Sequence, residues 1–141
     1  MAAFNKFNAF VEHLAEGVHN LAADTLKIML TNVAPVAGNS VKADLTEIAA
    51  GNGYTAGGIT VVPASSSQTG GLYSLVIADV TSAWAASGGS MAAFQYLALY
   101  NDTPTSPADP LIGWWDLGAP LTLTVGNSLN LDLAATTITI Q

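Results

Sequence analysis

Leu121-Thr122-Leu123-Thr124-Val125-Gly126-Asn127-Ser128-Leu129-Asn130-Leu131-Asp132-Leu133 is the stretch on which the fold reading turns. Apolar side chains hold every second position on both sides of Gly126-Asn127, and Thr, Asn and Asp fill the alternate ones. A period of two places one set of side chains on one face of an extended chain. Gly-Asn between two such runs is a β-hairpin signal, because both residues tolerate positive φ. The stretch therefore predicts two antiparallel strands, each covered on one face only.

The same grammar extends in both directions. Ile138 and Ile140 suggest a final short strand, and Leu111 to Asp116 reads as another. Asn101 to Pro110 holds Pro104, Pro107 and Pro110 and is expected to be an exposed loop. Phe94–Tyr100 and Leu72–Val80 are apolar on both faces, the pattern of central strands. Ala64 to Gly71 reads as a polar, flexible loop. Ile59–Val62 reads as a short strand that Pro63 places at an edge or an end. Leu26, Ile28 and Leu30 alternate with Lys27, Met29 and Thr31 in a first strand, followed by a loop from Asn32 to Asn39. Asp44-Leu45-Thr46-Glu47 has capping-box spacing and predicts a short helical turn. Seven or eight short strands with Gly, Pro and Asn punctuation predict a mainly β fold, an antiparallel sandwich or barrel of jelly-roll-like kind.

One segment departs from this pattern. At about 100° per residue, Phe4, Phe7, Phe10, Val11, Leu14, Val18 and Leu21 share one arc, with Glu12, Glu16, His13 and His19 outside it. This predicts an N-terminal amphipathic helix over 4–22. Residues 1–141 then form a single domain, with 25–141 as its β-rich body. The apolar stripe of the helix needs a cover, either this domain's own sheet or a neighbouring subunit.

Composition narrows the function classes. Of 141 residues only 9% are charged, half are hydrophobic, and the formal net charge is −7. An average soluble domain carries roughly 25% charged residues. Three lysines without an arginine cannot track a phosphate backbone, and an acidic balance repels nucleic acid and anionic membrane alike. No cysteine exists for a disulfide, a thiolate metal site or a thiol nucleophile. Met1 to Lys6 lacks the basic-then-apolar order of a signal peptide, and the uncharged runs are too rich in Gly, Ser, Thr and Asn to span a membrane. A surface so poor in charge suits contact with other protein.

No motif commits the chain to chemistry, so no catalytic residue, cofactor or metal is expected. In Gly51-Asn52-Gly53-Tyr54-Thr55-Ala56-Gly57-Gly58 no Lys follows for a phosphate loop, and the third glycine falls one residue late for a dinucleotide fingerprint. The glycines read as a tight loop with Tyr54 as its anchor. His13 and His19, six apart on a helix, diverge by about 120° and read as polar-side histidines. The acids Asp102, Asp109 and Asp116 read as solvated loop acids. Trp114-Trp115 must face opposite sides of a strand, one toward the core and one outward, while Tyr96 and Tyr100 share a face. The candidate protein-contact residues are therefore Phe4, Phe7, Val11, Leu14, Val18, Tyr96, Tyr100, Trp114 and Trp115. Exposed aromatics could alternatively stack on sugars.

Several segments, taken in order, carry a resemblance. Asn5-Lys6-Phe7-Asn8, Val18-His19-Asn20-Leu21, Asp24-Thr25-Leu26-Lys27, the Gly51–Gly58 loop, Tyr100-Asn101-Asp102 and Leu111-Ile112-Gly113-Trp114-Trp115-Asp116 together resemble small virion structural proteins of tailed bacteriophages and prophages. The resemblance spans nearly the whole chain. It implies a β-rich capsid or tail component without catalytic residues, made in the bacterial cytoplasm and placed in the virion. The expected function is a capsid decoration (cement) protein. It would bind the major capsid protein and copies of itself as a small homo-oligomer, a trimer by the general habit of such proteins. A tail component, fibre-base or tail-tip, is the alternative. A host-glycan-binding module is the second alternative.

Overall fold

The computed structural model describes residues 2–134 and 137–141. Met1, Ala135 and Thr136, which the single-domain reading includes, lie outside them. The fold is mainly β, with antiparallel sheets and one short helix near the N-terminus, in keeping with a β-sandwich. Ten strands are described: β1 (Phe4–Lys6), β2 (Leu26–Thr31), β3 (Ile59–Val61), β4 (Pro63–Thr69), β5 (Leu72–Ile77), β6 (Val80–Ala85), β7 (Phe94–Asn101), β8 (Leu111–Leu121), β9 (Ser128–Leu131) and β10 (Thr137–Ile140). The helix is α1 (Asn8–Ala15).

The largest sheet has five strands in the order β1-β8-β7-β2-β3, every pair antiparallel. Its two faces bury different side chains. Ile28, Leu30, Leu97, Leu99 and Trp115 enter the main core, where they meet Leu75 and Ile77 of β5, Trp84 of β6, Leu131 of β9 and Ile138 of β10. Those partners belong to two smaller sheets, β10-β5-β4 and β6-β9, which cover that face. The opposite face gathers Met29, Ala98, Tyr100 and Leu111 under Phe7, with Leu45 and Trp114 packed at the margin. Strand β7 is thus buried on both sides, as its sequence requires.

The N-terminal helix is much shorter than its periodicity predicts. Phe4–Lys6 pairs with Gly113–Trp115 as an edge strand. Phe7 then hands its amide to the Ile112 carbonyl (3.2 Å) before α1 begins. At the other end Gly17, at φ 75°, closes a Schellman motif: its N–H donates to the Leu14 carbonyl (3.2 Å) and the Val18 N–H to that of His13 (2.8 Å). A left-handed glycine ends the helix in mid-stripe, so Val18 and Leu21 belong to the following turns.

The opening stretch is also rearranged. Its residues do alternate, yet Leu121–Val125 and Leu129–Leu133 do not form a hairpin. β8 continues from Leu111 to Leu121, and its end pairs with Phe94 of β7. β9 pairs instead with β6, with Trp84 opposite Leu129. Gly126 (φ 89°) does make a turn, closed by Asn127 N–H to the Thr124 carbonyl (3.0 Å) and Asn127 Nδ2 to Thr124 Oγ1 (2.7 Å). That turn carries the chain from one sheet to another.

Smaller corrections follow the same lines. Ala64–Gly71 is largely strand β4, folded on β5 through Gly70-Gly71. β5 ends at Ile77 and buries mainly one face, and β6, unmarked in the sequence reading, buries Trp84. The turn near Asp44 is a 3-10 turn over Lys42–Asp44. There the Asp44 carboxylate closes the turn by accepting the N–H groups of Ser40 (2.8 Å) and Val41 (3.2 Å).

Candidate contact surface

The nine candidate contact residues divide between core and surface. Trp115 is buried against Phe4, with ring centroids 5.1 Å apart. Gly113 makes that possible, since a Cβ there would lie 2.1 Å from the Phe4 ring. Trp114, on the other face as predicted, is half-buried against the fully buried Phe7 at 4.5 Å. Tyr100 is buried beside them, and Tyr96 is half-buried. Leu14 and Val18 are half-buried, whereas Val11 is 49% exposed. These residues do not form one surface: Phe7, Tyr100 and Trp115 are internal, whereas Trp114 and Tyr96 keep part of their surface exposed.

Tyr54 anchors the Gly51–Gly58 loop as predicted, within a polar cluster that composition could not reveal. Its hydroxyl donates to Glu47 Oε1 (2.6 Å) and accepts the Leu30 N–H (3.1 Å). Glu47 also accepts the Gly57 N–H and pairs with Lys42 Nζ (3.0 Å). The Tyr100 hydroxyl donates to the Gly57 carbonyl (2.7 Å), and Lys42 Nζ lies 5.7 Å above its ring. Burial acts to raise the Glu47 pKa, but the hydrogen bonds from Tyr54, Gly57 and Lys42 outweigh it and hold the carboxylate below its ordinary range. Burial, reinforced by Glu47, pushes the Tyr54 phenol far up. The cluster fastens the 32–58 excursion to β2. Each of its polar groups is engaged, so it is a structural lock.

A second polar knot corrects the reading of the histidines. His19 is buried, 6% exposed. Asn101 Nδ2 donates to Asp24 Oδ2 (2.6 Å) and lies 3.1 Å from His19 Nδ1, while Asn101 Oδ1 accepts the Thr103 N–H (3.1 Å). Both amide hydrogens are thereby used, so Nδ1 is an acceptor and the ring proton sits on Nε2. Burial and the neighbouring His13 push this imidazole down to about 4, against the opposing pull of Asp24. The signal was Asn101, a polar residue at the end of a strand buried on both faces. His19 lines a groove of about 470 Å³ with Leu14, Leu21, Ala22, Tyr73 and Ile140.

The loop acids Asp102 and Asp109 adjoin the first cluster: the Lys42 N–H donates to the Asp109 carbonyl (2.9 Å), and both acids add to burial in pushing the Tyr100 phenol up. Asp102 pairs with Lys27 (2.9 Å). Asp109 is raised by burial first and by Asp102 second. Among the described residues no group of three or more His, Cys, Asp or Glu is placed to hold a metal ion. No described helix is long and apolar enough to cross a membrane.

What remains at the surface is unusual. Every residue of β4 after Pro63 is exposed, and none is charged. Val62 (63% exposed) and Leu72 (37%) stand exposed at the two ends of that strand. No protein-family model, curated protein or solved structure matches the chain.

Proposed function

We propose that this chain is a structural protein of a tailed-bacteriophage virion, a capsid decoration protein that binds the assembled head and copies of itself. One observation carries the reading. The surface that the β-body offers to solvent is uncharged from Ile48 to Ala78, and it includes the whole of β4. A solitary protein in water gains nothing from such a surface, whereas a subunit held among others does. The ordered sequence segments that resemble virion proteins support the same reading. So does the Tyr54–Glu47–Lys42 cluster, whose groups are spent on holding a loop to a strand.

The work of such a protein is mass action. A ligand that binds the closed shell, and not its separated subunits, stabilises the shell by RT ln(1 + [L]/Kd). It needs no cofactor, nucleic acid or membrane. The test is co-sedimentation of the purified chain with phage heads that lack it, beside the same chain mixed with unassembled capsid protein. The expected result is saturable pelleting with heads and none with free subunits. Equal binding to both, or to neither, contradicts the proposal.

A further inference from the structure

Six described strands have a neighbour on one side only, and five of them are protected by shortness or irregularity. β1 and β3 have three residues each, and β9 and β10 have four. β6 is broken by a register shift between Val80 and Trp84, with Ser82 at φ 49°. Strand β4 is the exception. It has seven residues, its ladder to β5 is regular from Ser65 to Thr69, and its only irregularity lies at the Pro63 end. It carries no Lys, no inward charge and no proline beyond Pro63. These are the devices by which proteins keep a sheet edge from pairing. An exposed regular edge without them presents a row of unpaired N–H and C=O groups that another strand satisfies.

We propose that β4 is a self-pairing edge. Two copies of this chain join antiparallel along Ser65–Thr69 about a two-fold axis at Ser67, merging their β10-β5-β4 sheets into one. Charge selects the occupant. The chain carries a net −7, so two copies repel wherever their acids approach, but Ile48–Ala78 has none. A basic partner would be drawn to the acids elsewhere, not to this neutral edge. Ser65, Ser66, Ser67, Gln68 and Thr69 set small polar side chains against their own kind, and cross-strand Ser/Thr pairs are favourable. An isologous contact closes on itself, so the edge is consumed and no fibre grows.

This pairing deepens the self-association in the proposed function and rests on that part of it. Its failure is separable from failure of the virion reading, because it is tested in solution without phage particles. The chain has no cysteine, so single-cysteine variants give clean probes. Light scattering of the full chain at micromolar concentration should give about 29 kDa, twice the 14.4 kDa of one copy. Ser65→Lys combined with Ser67→Lys should give a monomer with an unchanged far-ultraviolet circular dichroism spectrum. Under mild oxidation Ser67→Cys should crosslink to itself far better than Ser65→Cys or Ser66→Cys. A monomeric or trimeric wild-type chain overturns the proposal. So does a double-lysine variant that stays dimeric. Equal crosslinking at all three positions, which marks a parallel register, or crosslinking at none, also overturns it.

Discussion

A few residues hold this chain in shape through contacts that no period announces. Gly58 lies at φ 76°, and a Cβ there would lie 1.8 Å from the Ile28 carbonyl oxygen, so the loop that Tyr54 anchors lies directly on β2. His19 is the residue whose chemistry is easiest to read out. Its folded pKa, about 4, lies below its ordinary value of 6.5. Above pH 6.5 both folded and unfolded chains hold it neutral, and it contributes no pH dependence. As pH falls from 6.5 toward 4 the unfolded chain takes up a proton that the folded chain refuses, so stability falls. The loss approaches about 3 kcal/mol, at up to about 1.4 kcal/mol per pH unit. Urea denaturation at pH 7 and pH 5 should show this fall in the wild-type chain, with a much flatter response in His19→Gln. Asp44 and Glu47, held below their ordinary 3.8 and 4.5, begin to add to the fall only as pH nears those values, so they contribute little between pH 7 and pH 5. Equal slopes in the two proteins would mean that His19 is not buried as described.

Element pairing is where sequence and structure part. Alternation in Leu121–Leu133 reports which face each side chain takes, and it does so correctly for Leu123, Leu131 and Leu133, all buried. It says nothing about which strand lies alongside. Pairing was decided by Trp84, whose burial draws β6 onto β9, and by β8 running on to reach Phe94. Pro120 does not interrupt β8, because β1 covers only Gly113–Trp115 and the chain there has a free side. The helix is shorter than its stripe for a related reason: a stripe of apolar residues can be shared by a strand, a helix and a turn that all cover one core. Gly17 was the legible stop signal. Cross-strand nuclear Overhauser contacts test the pairing. We expect Trp84–Leu129 and Ala85–Ser128 backbone contacts, and none between Leu123 and Asn130. The reverse pattern would restore the hairpin.

At the scale of the whole molecule, the fold class was legible because strand periodicity and turn residues recur along the chain. The proposed contact surface was legible only in part. Three of the aromatics that seemed suited to contact, Phe7, Tyr100 and Trp115, went inside, because a chain that builds two cores around one sheet buries large apolar groups in both. The exposed edge was hidden in the segment 64–71, whose Ser, Gln and Thr look like loop when read alone. Scarcity of charge was the clue from which protein contact is proposed, and β4 is an exposed strand that carries no charge. The proposed place of this chain is the head of a virion, where gold-conjugated antibody against it, applied to purified particles, would reveal it. Label should be distributed over the head surface. Label confined to the tail, or absent from intact particles, would contradict it.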